Sequence, residues 1–279
     1  MTIDMSTTRT DLALESVQAA CSGAEAGTIS GVRSRERTRE GYVVTDIRVE
    51  DEDGAQALGK PVGRYVTVDL GPYFRREADY FDRGVRCLAG ELAALLPEGP
   101  VLAAGLGNRA MTCDAVGPAS IDNLLVTRHM IRAMPRQFAD FRPVAAVCPG
   151  VLARTGLEAL ELVRGAVERV RPAAVIAVDA LAARDSARLC ATVQLSDTGL
   201  VPGSGVGNRR SALDRGTLGV PVIAVGIPTV VDADPRAGLF LTPRDIDQRI
   251  RELGRLLGYG ITLALQPSLT AADVTALLG

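Results

Sequence analysis

Four short apolar segments, separated by stretches in which apolar residues recur at helical spacing, constrain the fold of this chain more than any other feature. They are VLAAGL at 101–106, VAAVC at 144–148, AAVIAV at 173–178 and PVIAVGI at 221–227. Strands buried on both faces of a sheet read as continuous apolar runs, and their alternation with helices is typical of parallel sheets. The sequence therefore predicts an α/β fold, with a mostly parallel sheet and helices on both of its faces.

The amino-terminal part of the chain has a different pattern, in which apolar and polar residues alternate. YVVTDIRVE at 42–50 and RYVTVDL at 64–70 flank a turn-rich segment, which predicts an added pair of strands. CATVQLS at 190–196 has the composition of an extra edge strand. Residues 1–40, including the charged run RSRERTRE at 33–40, are predicted to be irregular and solvated. No repeat or linker divides the chain, so we expect a single domain.

Charge and cysteine content exclude several classes of function. The 279 residues include 31 basic and 33 acidic side chains, and a net charge of −2 gives no electrostatic attraction to nucleic acid or to an anionic membrane. The five cysteines form no CxxC motif, so neither a disulfide framework nor a zinc site is expected. The amino terminus lacks the features of a targeting signal, and no apolar run approaches the length of a membrane span. We therefore expect a cytoplasmic protein whose partners are proteins or small molecules.

Two aspartates follow apolar segments at the places where ligands gather in α/β sheets. Asp179 comes directly after the run at 173–178, and Asp114 lies in the glycine-rich loop GLGNRAMTCDAVGP at 105–118. The carboxyl ends of parallel strands meet at one edge of the sheet, so the two side chains are expected to lie close together. Adjacent carboxyl groups can share a proton, which allows general acid and base catalysis without a metal. The alternative interpretation is a pair of aspartates that cap helices.

Other motifs carry weaker chemical signals. GLGNRA at 105–110 imitates a dinucleotide-binding turn, but Gly117–Pro118 interrupts the helix that such a turn must begin. Ser204 is not in a nucleophile elbow, because Pro202 stands where that motif needs glycine. The chain has one histidine, His129, and no second histidine to share a metal. None of these residues is therefore assigned a catalytic role.

Eight stretches of the chain, in order, match motifs of a known family. They are RTDLALE at 9–15, GRYVTVDL at 63–70, GLGNRAMTCDAVGP at 105–118, NLLVTRHM at 123–130, RPVAAVCPGVLARTGLE at 142–158, VIAVDALAAR at 175–184, QLSDTGLVPGSGVGNRR at 194–210 and GVPVIAVGIPTVVDA at 219–233. On these residues the chain closely resembles the germination proteases of spore-forming bacteria. The motifs cover most of the chain and several are long.

The resemblance implies a fold similar to the hydrogenase maturation proteases, a homo-tetramer, and an endopeptidase that degrades small acid-soluble spore proteins during germination. Such an enzyme acts in the cytoplasm of the forespore or in the spore core. The resemblance attributes catalysis to two aspartates, which fall by motif on Asp114 and Asp179. It implies no cofactor, and no metal is carried over. The pair that the strand pattern selects and the pair that the resemblance implies are the same.

The resemblance also implies a zymogen that removes its own amino-terminal segment. By motif, the cut falls between Asp11 and Leu12. It divides the chain into a propeptide, residues 1–11, and a single α/β peptidase domain, residues 12–279. Nothing in the sequence predicts burial of this polar segment, so we expect an exposed cleavage site of the kind that proteolysis favours.

One departure from the family pattern leaves two other functions open. After VVDA at 230–233 the familiar members carry a long insertion, whereas this chain has only DPRAGLF before the next matching segment. Oligomer contacts and substrate binding near that region are therefore the least certain to be retained. The alternatives are a catalytically silent homologue that binds or regulates, and a metal-dependent protease of the maturation type.

Overall fold

The computed structural model describes residues 10–22, 29–204, 207, 210–234 and 238–279. Within these ranges the strands are β1 (Val32–Arg39), β2 (Tyr42–Val49), β3 (Gly63–Asp69), β4 (Val101–Leu106), β5 (Val144–Gly150), β6 (Ala174–Ala183), β7 (Thr192–Ser196), β8 (Val222–Asp234) and β9 (Leu239–Leu241). The helices are α1 (Ala13–Ser22), α2 (Glu52–Leu58), α3 (Gly71–Phe74), α4 (Tyr80–Ala93), α5 (Val116–Asp122), α6 (Arg128–Ala133), α7 (Leu152–Thr155), α8 (Ala159–Val170), α9 (Arg215–Leu218), α10 (Ile246–Leu265) and α11 (Ala271–Leu278).

The strands form one mixed sheet in the order β1-β2-β3-β7-β8-β6-β4-β5, with β9 paired to the end of β8. The strands β5, β4, β6 and β8 are parallel to one another, whereas β1, β2, β3 and β7 pair antiparallel. The predicted α/β class is confirmed, and so is the added pair of strands β2 and β3. The parallel arrangement is confined to the four strands built from the apolar segments.

Two strands have roles that the sequence pattern did not predict. The run at 33–40, expected to be irregular, forms β1 and pairs along its whole length with β2. Its side chains Arg37 and Arg39 contact the carboxylate of Glu91, which is fully buried in α4. Strand β7, expected at an edge, lies inside the sheet between β3 and β8. Its polar residues suited an edge strand, but in the structure they are buried, and Gln194 binds the segment at residues 11–13.

Helices cover both faces of the sheet. Apolar residues of α4, α5 and α10 pack against one face and form the largest core, which includes Leu88, Val116 and Leu253. The opposite face packs against α8 through Leu160, Val163 and Val167. In the described parts of the chain, none of the helices has both the length and the apolar composition needed to cross a membrane.

Candidate active site

The loop after β4 fixes the position of Asp114. The chain leaves β4 through Gly107, whose φ of +105° is a conformation that side chains rarely adopt. A Cβ atom at Gly107 would also overlap the backbone oxygen of Asp114. The N–H of Asn108 donates to that backbone oxygen at 3.0 Å and to Asp114 Oδ2 at 2.8 Å. The glycine and the two hydrogen bonds together hold the carboxylate beside the end of β4.

Asp179 lies inside β6, next to the point where β4 ends its pairing. Strand β4 pairs with β6 as far as Gly105 opposite Val178, whereas β6 continues beside β8 to Ala183. The sequence pattern ended this strand one residue before Asp179, because the apolar run stops there. In the structure the aspartate is 5% exposed, and the N–H of Ala180 donates to its Oδ1 at 2.9 Å.

A glycine in α5 brings the two aspartates to the same side of the sheet. A Cβ atom at Gly117 would overlap the backbone oxygens of both Leu106 and Val178. Without a side chain at this position, α5 and the turn that contains Asp114 can pack directly on β4 and β6. Asp114 and Asp179 line one cavity of about 520 Å³, whose apolar walls include Leu152.

The environment of the two carboxyl groups favours their protonated forms. Burial raises the pKa of Asp179 well above its usual range, and the negative charge of Asp114 raises it further, while the N–H of Ala180 opposes the shift. Burial also raises the pKa of Asp114, against the effect of the Asn108 N–H. Two interacting acids with raised pKa values, of which Asp179 is buried and Asp114 half-buried, can hold one proton between them, so one can donate while the other accepts.

The alternative interpretation of the two aspartates as helix caps is wrong. Asp179 lies within a strand, and the residue at the amino-terminal cap of α5 is Ala115, whose side chain cannot accept a hydrogen bond. Asp114 lies in a short 3-10 helix, Thr112–Asp114, and its side chain accepts from Asn108 instead. Neither carboxylate is needed for capping, which leaves both available in the cavity.

The segment from Thr10 onwards is not exposed as expected, and its Asp11 lines the same cavity. Asp11 pairs with β6: its N–H donates to Ala182 O at 2.9 Å, and its Oδ2 accepts from Ala182 N at 2.8 Å. Leu12 is fully buried in a small apolar cluster with Ala183 and Val231. These contacts join residues far apart in the sequence, which is why local polarity gave the wrong prediction. Residues 1–9 of the predicted propeptide lie outside the described residues.

Two charged side chains anchor this segment, and the sequence analysis singled out neither. Glu15, 4% exposed, accepts from the backbone N–H groups of Arg184 at 2.8 Å and Asp185 at 2.9 Å. The ammonium group of Lys60 donates to Thr10 O at 3.1 Å. Burial lowers the pKa of Lys60, while the carboxylates of Asp11 and Glu15 act to raise it. The segment is thus held by buried polar contacts as well as by Leu12.

Gln194 on β7 was also missed. It is 8% exposed, and its side-chain Nε2 donates to Asp11 O at 2.9 Å, while its Oε1 accepts from Ala13 N at 2.7 Å. The only available signal was a glutamine in an otherwise apolar and β-branched run, which indicates a buried amide that needs partners. Its contacts span the peptide bond between Asp11 and Leu12.

Neither His129 nor Ser204 lines the cavity that both aspartates line, although Ser204 lines a neighbouring cavity with Asp179. His129 is exposed on α6 and does not line the cavity. Ser204 donates to Asp11 Oδ1 at 2.9 Å, in a loop of which residues 205, 206, 208 and 209 lie outside the described residues. All five cysteines are free thiols. In the described ranges, no group of three or more histidine, cysteine, aspartate or glutamate side chains is arranged to hold a metal ion.

Comparison with known proteins identifies the family. A family model described as "Germination protease" matches residues 9–238. The chain belongs to the germination protease family. This confirms the resemblance seen in the motifs and makes the protein a germination-related protease, a hydrolase.

Relatives match over nearly the whole chain. The germination protease of Caldanaerobacter subterraneus subsp. tengcongensis is 39% identical, with 97% of this chain and 98% of the relative covered. That of Clostridium perfringens is 36% identical with the same coverage, and that of Bacillus cytotoxicus is 40% identical over 95% of this chain and 76% of the relative. The first two alignments run over 320 and 321 positions, more than the 279 residues present here, so these relatives contain residues that this chain lacks.

Among solved structures, the chain is similar to the NiFe hydrogenase maturation protease HycI from Thermococcus kodakarensis KOD1. The match covers 63% of this chain and 99% of that one, with 17% sequence identity and a TM-score of 0.39.

Proposed function

We propose that this protein is an endopeptidase that degrades small acid-soluble spore proteins during germination, with Asp114 and Asp179 as its acid and base. One observation carries the proposal: both carboxyl groups line a single cavity, and the chain's own Asp11 lines it too. A peptide segment lying beside two carboxyl groups of raised pKa is the arrangement that aspartate-dependent hydrolysis requires. Family membership supports the substrate class.

The proposed reaction uses the single proton that the pair shares. The ionised carboxylate removes a proton from water, whose oxygen attacks the carbonyl carbon of the peptide bond. The protonated carboxyl group then gives its proton to the nitrogen that leaves. Because two interacting acids titrate as a pair, the roles of base and donor are assigned to Asp114 and Asp179 jointly.

We further propose that the chain is a zymogen that cuts itself between Asp11 and Leu12 and releases residues 1–11. The structure is compatible with this, because the bond lies in a segment bound at the cavity and not on a free tail. Mild acidification is expected to promote the cut, since it raises the fraction of the aspartate pair that carries the shared proton. Removal of residues 1–11 would take Asp11 out of the lining of the cavity and so open it to a substrate.

The proposed setting is the cytoplasm of the forespore or the spore core, and the proposed assembly is a homo-tetramer that binds neither nucleic acid directly nor a membrane. The family supports the setting and the assembly, and the net charge of −2 supports the lack of nucleic-acid binding. Light scattering of the purified protein measures the assembly: four chains per particle are expected, and a monomer at micromolar concentration would contradict it.

The test of the proposed activity is cleavage of a purified small acid-soluble spore protein by chains produced without residues 1–11, because the aspartate variants are not expected to process themselves. We expect Asp114→Asn and Asp179→Asn to lower the rate by about 10²- to 10⁴-fold, the usual range for a lost acid or base. Asp122→Asn is the matched control, because its carboxylate is exposed on α5 in an ion pair with Arg109 and should keep the wild-type rate.

The same assay separates the alternatives. If the wild-type protein binds the substrate without cutting it, the silent homologue is the better description. If a chelator abolishes cleavage and added zinc restores it, the metal-dependent mechanism replaces the aspartate pair.

A further inference from the structure

We propose that Gln194 is a catalytic residue of this protease, whose side-chain amide donates a hydrogen bond to the carbonyl oxygen of the peptide bond being cut. The inference rests on the proposed function in one respect, namely that the chain is cut between Asp11 and Leu12. In that case the oxygen that Gln194 binds, at 2.9 Å from Nε2, belongs to the scissile bond itself.

The two contacts of Gln194 determine how its amide is oriented. The N–H of Ala13 can only donate, so the side-chain atom that it meets at 2.7 Å must be the oxygen Oε1. The NH₂ group must then be the part that faces Asp11 O. The amide therefore spans the bond between Asp11 and Leu12: its NH₂ group donates to the carbonyl oxygen of Asp11, and its oxygen accepts from the N–H of Ala13.

The sheet register places Gln194 and Asp179 on the same face of the sheet, and both line a cavity together with Asp11. On β8, Gly226 pairs with Gln194 of β7 and also with Asp179 of β6. Paired residues point to the same face of a sheet, and neighbouring strands lie about 4.8 Å apart, so Gln194 and Asp179 stand on one face about 10 Å apart at their Cα atoms. The middle position has no side chain of its own, and a Cβ there would lie 2.5 Å from Leu181. The side chain of Leu181 fills the space over Gly226 between the amide and the acid.

The role follows from where charge develops during hydrolysis. When the oxygen of water attacks the carbonyl carbon of Asp11, the electron pair of the C=O bond moves to its oxygen, and the proton of the water moves to the ionised carboxylate. The N–H of Gln194 stabilises that oxygen. The C=O bond then re-forms as the C–N bond breaks, and the protonated carboxyl group supplies the proton to the nitrogen of Leu12. A single fixed donor of this kind typically contributes a factor of about 10² to 10³ in rate.

The chain contains a matched control for the loss of a buried amide. Gln266, 3% exposed at the end of α10, also donates to one backbone oxygen, Arg142 O at 2.8 Å, and accepts from one backbone N–H, Arg142 N at 3.0 Å. These contacts lie at the amino-terminal end of β5, whereas the cavity lies at its carboxyl end. Gln266→Met therefore reproduces the structural cost of losing such an amide without touching the aspartates.

The experiment measures the first-order rate at which the purified full chain converts to a product beginning at Leu12, by intact mass spectrometry. We expect Gln194→Met to slow this step about 100- to 1000-fold and Gln266→Met to keep the wild-type rate within about threefold. Gln194→Glu, which keeps the shape and the acceptor but has no donor when ionised, is the second variant and should be slow at neutral pH. A rate for Gln194→Met close to wild type would overturn the inference.

A second measurement distinguishes two roles of Gln194: donating a hydrogen bond to the carbonyl oxygen during cleavage, or only holding the segment in place. In the uncleavable Asp179→Asn background, hydrogen exchange over α1 reports whether the segment stays bound. Protection that is unchanged by Gln194→Met, together with slow cleavage in the single variant, supports the donor role. Loss of protection in proportion to the loss of rate would overturn it. If the wild-type chain is not cut at Leu12, or if Asp179→Asn is cut equally fast, the proposed function fails, and the inference fails with it.

Discussion

At the scale of single residues, the candidate site contains two carboxyl groups, of which Asp179 is buried and Asp114 half-buried. The strand pattern predicted both, since each follows an apolar run, and the cost of burying a carboxylate gave a reason to notice them. The partners of these groups could not be predicted in the same way. Gln194 is separated from Asp11 by 183 residues, and its role depends on β7 lying inside the sheet.

The raised pKa of Asp179 has a measurable consequence for stability. Between the ordinary aspartate pKa of about 3.9 and the raised value in the fold, the folded protein holds a proton that the unfolded chain has released. The free energy of unfolding must therefore decrease as pH rises through this window, and below it the effect vanishes. Replacing Asp179 with asparagine removes this contribution.

We expect the free energy of unfolding of an Asp114→Asn/Asp179→Asn double variant to depend less on pH than that of Asp114→Asn alone. The single variant lacks one member of the pair and the double variant lacks both, so neither is expected to cut itself during the measurement. Urea unfolding at pH 4 to 8 provides the comparison, and the advantage of the double variant should grow with pH. Two curves that run parallel would show that burial does not raise the pKa of Asp179.

At the scale of secondary-structure elements, the close packing of α5 on β4 and β6 at Gly117 shapes the candidate site. The apolar runs predicted β4 and β5 nearly to the residue, because such strands are specified by their own composition. The lengths of β6 and β8 were underestimated, since the last residues of β6 are strand through pairing with β8 and those of β8 through pairing with β9. The approach of α5 to these strands depends on Gly117, whose importance is visible only once its neighbours are known.

Gly117→Ala is predicted to destabilise the protein by about 1–3 kcal/mol, because its methyl group would overlap two backbone oxygens of the sheet. Gly165→Ala is the matched control on α8: no atom lies within 4 Å of the added Cβ, so the helix should gain about 0.5–1 kcal/mol. Urea unfolding measures both. Equal stability of the two variants would mean that α5 does not pack on β4 and β6 as described. Self-processing should also slow in Gly117→Ala alone, because α5 positions Asp114.

At the scale of the whole molecule, residues 10–22 are part of the fold and not an appendage. Leu12 and Glu15 are buried, and Lys60 and Gln194 bind the backbone on either side of the predicted cut. The sequence indicated the cut through its family resemblance, whereas its polarity indicated exposure. The structure explains how a polar segment can be buried: its polar groups form hydrogen bonds with Ala182 of β6 and Gln194 of β7.

The central claim is that the two aspartates act on the segment that lies beside them. Its most direct test is the mass of the purified full chain after a shift to mildly acidic pH, followed over time for the wild type, Asp114→Asn and Asp179→Asn. We predict that the wild type loses residues 1–11 at a rate independent of protein concentration, and that each variant is slower by about 10²- to 10⁴-fold. A product beginning at Leu12 that forms equally fast in all three chains would contradict the claim.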